Sequence, residues 1–193
     1  TREVNALLGD GIFDFPKPSK LIERLIEQAA DRDAIVVDFF AGSASTAEAV
    51  FSLNKVDGGA RQFVMIQLPE PCVKGGEADK AGYKTIADIG KERIRRAGKR
   101  IISGTHHKDW SKDIGFRLLK VDSSNMADVY YAPDNLEKTS LELFVENIKN
   151  DRNSDDLLFQ VMLDWGVDLT LPIDKQSIQG KDVFFVDHNA LVA

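Results

Sequence analysis

The chain has a single cysteine, Cys72, in 193 residues. That excludes an internal disulfide and a cysteine-based zinc site, and it fits the reducing environment of a cytoplasm. No run approaches the roughly 18 apolar residues of a membrane span. No signal-like segment opens the sequence. Positive charge is scarce: 25 Lys and Arg against 31 Asp and Glu leave a net charge of −6. Any contact with nucleic acid therefore has to be local. Internal repeats and low-complexity tracts are missing too. What is present, 43% hydrophobic and 29% charged residues, is the make-up of an ordinary globular protein. The length suits one domain, or one domain with a small appendage. The first residue is Thr1 rather than Met, as expected of a piece of a longer protein.

Local patterns divide the chain. Residues 1–15 read as a loop with one short apolar turn. Pro16 and Pro18 then punctuate, and Ser19 is the expected N-cap of a helix carrying Leu21, Ile22, Leu25, Ile26 and Ala29 at helical spacing. Residues 34–38 form a short β-branched run, typical of a buried parallel strand. A helix over 46–53 turns Ala47, Val50 and Phe51 inward; Asp57-Gly58-Gly59 marks a turn, and 61–67 a second strand. Residues 69–84, with Pro69, Pro71 and Gly75-Gly76, read as loop. Thr85 and Asp88 form a capping-box pattern ahead of a long helix with Ile86, Gly90, Ile94, Ala97 and Ile101 on one face. Residues 114–121 are a third strand candidate. Helices are expected over 136–148 and 155–165, and a hairpin-like end includes Val183 to Val186. Strands alternating with helices argue for a parallel α/β sheet.

Chemistry concentrates in "DFFAGSAST", residues 38–46. No lysine lies between Asp33 and Asn54, which removes a P-loop; Gly42 stands alone, which removes a G-x-G-x-x-G turn; "AGSAS" is not a nucleophile elbow. What remains is an acid at a strand end, a glycine for close approach, and small hydroxyl residues at a helix start. The acid suits an ammonium group and the helix N-terminus a carboxylate. A free amino-acid moiety carries both, and S-adenosylmethionine is the common cofactor that adds an adenosine to that pair.

The same residues resemble a family. "DFFAGSAST" is similar to the S-adenosylmethionine motif of amino-group DNA methyltransferases, and "FPKPSKLI" (15–22) to the motif preceding it in permuted members. "GGARQFVMIQLPE" (58–70) and "KTIADIGKERIRRAGKRI" (84–101) are similar to the following strand and helix. "DIGFRLLKVDSSN" (113–125) and "LLFQVMLDWGVDLTLPI" (157–173) extend the resemblance to the Mod subunits of type III restriction–modification systems, which are adenine-specific. The resemblance implies that Asp38 takes the methionine ammonium group and Gly42 lets backbone approach the ligand. Ser43, Ser45 and Thr46 offer hydroxyls or N–H groups, Phe39 and Phe40 wall the pocket, and Lys17, Pro18 and Ser19 lie on the carboxylate side. Gln67 stands where such enzymes place an acid on the ribose hydroxyls. Ala44 replaces a second glycine, so the turn must tolerate a Cβ.

The family's transfer step needs a D/N/S-P-P-aromatic tetrad, and none occurs; "YYAPDN" (130–135) is the nearest string. The resemblance therefore implies a C-terminal fragment with the cofactor half of a site, inactive alone, with no catalytic residue of its own. It also implies DNA and a restriction subunit as partners of the longer protein. The expected fold is a partial Rossmann-like α/β sheet, mostly parallel with helices on both faces, over 1–125, followed by a small α+β extension over 126–193. An open apolar edge at the Asp38 strand is expected to be covered by another segment or by a homodimer. A rival reading makes the tail an interaction module that docks a restriction subunit, with the α/β part as scaffold. Lys91, Arg93, Arg95, Arg96, Lys99 and Arg100 read as a solvated helix face rather than a phosphate-binding one. His106-His107 reads as exposed loop rather than a metal site, Trp110 and Trp165 as packing residues, and Cys72 as an ordinary thiol.

Overall fold

A computed structural model describes residues 2–127 and 147–193. It divides into two compact units, Thr1–Phe116 and Arg117–Ala193. The first unit is built on helix α1 (Arg2–Leu8), helix α2 (Ser19–Ala29), strand β1 (Ile35–Asp38), helix α3 (Ser45–Asp57), strand β2 (Gln62–Met65), the single turn α4 (Glu77–Lys80) and helix α5 (Ile86–Ile102). β1 and β2 pair in parallel, with Val36 beside Phe63, Val37 beside Val64 and Asp38 beside Met65. The helix between them makes a β-α-β unit.

α3 is the centre of this unit. On one side Ala47 and Phe51 pack with Ile94 and Ile101 of α5 and with Trp110. On another, Val50 and Leu53 pack with Ile26 of α2, and Val36 and Phe63 of the sheet lie against them. A helix this thoroughly enclosed has few polar positions to spare, so the buried Glu48 and Asn54 both need partners. Asn54 finds them in the backbone of Arg61, accepting from its N–H at 3.1 Å and donating to its carbonyl at 2.8 Å.

The α/β character and the parallel pair follow the expectation, but a complete sheet is not found among the described residues. Residues 114–121 form no strand; Ile114 and Phe116 instead pack on the α3–α5 core. Alternating burial there comes from packing rather than from a ladder, and sequence periodicity does not distinguish the two. Helices cover one face of the β1–β2 pair. On the other, Ile35, Val37, Val64 and Ile66 are exposed, so the open apolar surface is a face as well as an edge. α1 replaces the loop expected at the start: Val4 and Leu8 are buried with Ile12 and Ile89, and tertiary packing stabilises a helix of only seven residues. Ser19 is the first helical residue of α2 rather than its cap, which is Pro18. Its N–H and hydroxyl both donate to Glu3 Oε2, at 2.9 and 2.7 Å.

α5 has the expected capping box. The Asp88 N–H donates to Thr85 Oγ1 at 3.2 Å, and the Thr85 N–H donates to Asp88 Oδ2 at 3.0 Å. Lys91, 2.6 Å from Asp88 Oδ1, leads the interactions that hold this carboxyl down at about 2 from its ordinary 3.8; the Thr85 hydrogen bonds act the same way and partial burial opposes them. A depressed folded-state value means stabilisation that is complete above pH ~4 and lost as pH falls toward ~2. Asp88→Ala is expected to cost about 1 kcal/mol at neutral pH and to flatten stability across that acid window, as acid titrations of the thermal midpoint would show.

The second unit carries helix α6 (Ser154–Asp164) and an antiparallel sheet in the order β3 (Ile173–Ile178), β4 (Lys181–Val186), β5 (Leu191–Val192). Gln179 and Gly180, at φ +52° and +78°, make the two-residue turn between β3 and β4. Leu158 and Met162 of α6 pack on Phe184, Val186 and Leu191. Trp165, expected to pack, caps α6 with its side chain 72% exposed. The helix expected over 136–148 falls almost wholly outside the described residues, as does "YYAPDN"; Ile148 itself forms an isolated bridge with Met126.

Candidate functional site

At the carboxyl end of β1 the chain turns through residues 39–44 into α3, the usual place for a ligand in an α/β unit. The turn needs left-handed backbone twice, at Gly42 (φ +52°) and at Ala44 (φ +57°), the N-cap of α3. Ala44 tolerates its Cβ there at a cost of about 1–2 kcal/mol. Being an alanine, it leaves the first N–H groups of the 13-residue α3 without a side-chain cap. Gly42 cannot be replaced so readily, because a Cβ on it would lie 3.2 Å from Phe13 Cζ.

A pocket of about 210 Å³ opens over this turn. One wall comes from the α1–α2 connection, with Phe13, Asp14, Phe15 and Lys17; the other is Asp38, residues 40–43, Ser45 and Thr46. The Asp38 carboxylate is fixed from two sides: Thr46 Oγ1 donates to Oδ2 at 2.7 Å and the Phe40 N–H to Oδ1 at 3.2 Å. Each oxygen keeps a lone pair for a ligand. Phe15 lines the pocket in the left-handed region (φ +51°) and is 95% exposed. An aromatic held in a strained backbone with its ring in solvent is costly, and such strain concentrates at binding sites.

Of the residues named from the sequence, Lys17, Asp38, Phe40, Gly42, Ser43, Ser45 and Thr46 converge on this pocket. Phe39 does not line it and is 67% exposed. Pro18 serves as helix cap and Ser19 is spent on Glu3. Gln67 Oε1 accepts the Gly42 N–H at 2.7 Å, which ties the turn to the end of β2. Burial, with the nearby charges of Asp88 and Asp79, pushes the Cys72 thiol up from its ordinary value.

The residues the sequence reading missed lie underneath the turn. Arg93, expected on a solvated face, is 0% exposed. Its Nε and Nη2 donate to Glu48 Oε2 at 2.9 and 2.7 Å, and its Nη1 to Ser43 Oγ and Ser45 Oγ at 2.8 and 2.6 Å. Arg100 binds the other oxygen of Glu48, and Glu3 Oε2 lies 3.8 Å from Arg93 Nη2. Burial alone would raise the Glu3 carboxyl; the Ser19 hydrogen bonds and the Arg93 charge outweigh it and hold Glu3 below its ordinary value. The signal was available: Arg93 sits four residues after Ile89 and four before Ala97, both buried, so helical geometry places it on the inner face.

Residues 2–80, which contain the whole of this pocket, match the family model described as DNA methylase. Over 185 residues, 96% of this chain and 28% of the relative, the sequence is 35% identical to the type III restriction-modification enzyme EcoPI Mod subunit of Escherichia phage P1. The chain is a relative of the type III Mod subunits. Two others show the same: the StyLTI Mod subunit of Salmonella typhimurium is 41% identical over 60% of this chain and 18% of its own length. The EcoP15I Mod subunit of Escherichia coli is 36% identical over 91% and 25%. The chain thus spans between about a fifth and rather over a quarter of the length of these Mod relatives. Similarity to the two longer-matching relatives runs through the second unit as well as the pocket, so both units belong to the Mod-like sequence.

Proposed function

We propose that the pocket holds the methionine end of S-adenosylmethionine, and that the chain is the cofactor-binding portion of an adenine-N6 DNA methyltransferase of a restriction–modification system. The observation that carries this is the arrangement of charge across one small cavity. A fixed carboxylate, Asp38, lines it together with the start of an α3 that has no side-chain cap, Lys17, and two serine hydroxyls. That donor set fits a group bearing both an ammonium and a carboxylate. The volume, about 210 Å³, is below the roughly 300–1,000 Å³ of complete small-molecule sites. It therefore suits one end of such a ligand, leaving the rest to the exposed Phe39 and Phe40 beside it.

When bound, S-adenosylmethionine supplies an activated methyl group on its sulfonium. Asp38 would bind the ammonium, and Lys17, Ser43 and Ser45 the carboxylate. Gly42 keeps the wall thin enough for backbone to approach. The 193 residues contain no D/N/S-P-P-aromatic tetrad. Holding a flipped adenine therefore falls to another part of the longer protein, and this chain alone is expected to be inactive. DNA and a restriction subunit are the partners this reading implies for that protein.

Titration calorimetry of the chain with S-adenosylhomocysteine tests the reading. Binding is expected, and Asp38→Asn, which keeps shape and loses charge, should weaken it about 10- to 100-fold. No heat at millimolar ligand, with Asp38→Asn indistinguishable from the unaltered chain, would remove it.

A further inference from the structure

The guanidinium of Arg93 is wholly buried, yet it does more than neutralise Glu48. It directs Nη1 at the underside of the pocket turn, where it donates to Ser43 Oγ at 2.8 Å, to Ser45 Oγ at 2.6 Å and to the Ser43 carbonyl at 3.4 Å. A hydroxyl that accepts from a cation is polarised, and its own proton has to point elsewhere. The two hydroxyls are 3.4 Å apart, so one can donate to the other, but at least one proton is left over. Both serines line the pocket and both are otherwise buried. We infer that Arg93 is a positioning residue: because both hydroxyls accept its hydrogen bonds, the Ser43–Ser45 pair turns at least one O–H toward the pocket, and the pocket acquires a preference for a ligand carboxylate.

Two further features support this. Glu48 anchors the guanidinium through Nε and Nη2, so Nη1 is free for the turn alone. Arg100 and Arg93 share the Glu48 carboxylate. Glu48 therefore offsets the Arg93 charge only in part, and the cation stays felt at the serines. α5 can come this close because residue 90 is glycine: a Cβ there would meet the Gly42 carbonyl oxygen at 3.0 Å.

The inference rests on the pocket reading above, and the test separates the two. Competition binding compares S-adenosylhomocysteine with its decarboxylated analogue on the unaltered chain, on Ser43→Ala/Ser45→Ala, and on Arg93→Met/Glu48→Gln. The last pair of changes leaves no unpaired buried charge. The unaltered chain should prefer the carboxylate ligand about tenfold or more. Both variants should lose most of that preference, while their affinity for the decarboxylated analogue stays within about twofold. Combining all four substitutions should lower the preference no further, because arginine and serines act through one another. If neither ligand binds the unaltered chain, the pocket reading and this inference both fall. Should the unaltered chain bind but show no preference, or the variants keep it, only the role of Arg93 is overturned. That role is equally overturned if the variants weaken both ligands alike, as loss of a purely structural arginine would.

Discussion

Glu48→Ala is expected to destabilise the first unit by about 3–5 kcal/mol, the cost of stripping a buried charge of its partner. The side chain is 1% exposed and its two oxygens serve two arginines. Removing it leaves Arg93, at 0% exposure, with only two hydroxyls and one carbonyl as acceptors. The nearest remaining carboxylate, Glu3, is 3.8 Å away and already accepts twice from Ser19. A domain of this size has only about 5–15 kcal/mol to lose. Arg93→Met should cost less, because Glu48 would keep Arg100, which is half exposed and can adjust. Replacing both residues by methionine should recover most of the loss, since the penalty belongs to the uncompensated charge rather than to the missing pair. Urea midpoints at constant slope would measure all three. A loss below about 1 kcal/mol for Glu48→Ala would mean that water reaches Arg93 and that the pair is not buried in solution.

Much of the pocket was legible in the sequence because it depends on local chemistry. The β1–turn–α3 pattern, the lone Gly42 and the box of Thr85 and Asp88 act over a few residues, and the structure places them as read. What was not legible depends on pairing at a distance. Residues 114–121 alternate like a strand, but a strand exists only if another backbone lies alongside, and sequence alone does not say so. The bond by which Gln67 holds Gly42 joins residues 25 apart, and no local pattern announces it. Arg93 was hidden by its neighbours: in "KERIRRAGKR" the charges suggest water, and only the register with Ile89 and Ala97 shows that one of them faces inward. Its partner Glu48 lies in an alanine-rich run whose single acid looked incidental. Together they form the least expected feature of the chain, and they lie directly beneath the pocket turn.

The turn itself gives the second large effect. Gly42→Val should cost on the order of 2–4 kcal/mol and remove ligand binding. About 1–2 kcal/mol of this comes from a left-handed φ of +52° in a residue with a Cβ, and β-branching makes it worse. The rest is overpacking against Phe13, whose ring stands where the new atoms must go. The turn cannot evade the clash by shifting. Its N–H is held by Gln67 at 2.7 Å on one side, and its carbonyl faces the bare backbone of Gly90 on the other. Gly42→Ala should be milder, about 1–2 kcal/mol and almost all of it backbone strain, since a lone Cβ at 3.2 Å meets only the far end of a phenylalanine that can give slightly. Thermal midpoints together with S-adenosylhomocysteine calorimetry would order the three chains. A valine variant as stable as the original and binding as tightly would show that the turn can re-form with ordinary backbone angles. The contacts of Gln67, Phe13 and Gly90 argue against that, because any such turn would break at least one of them.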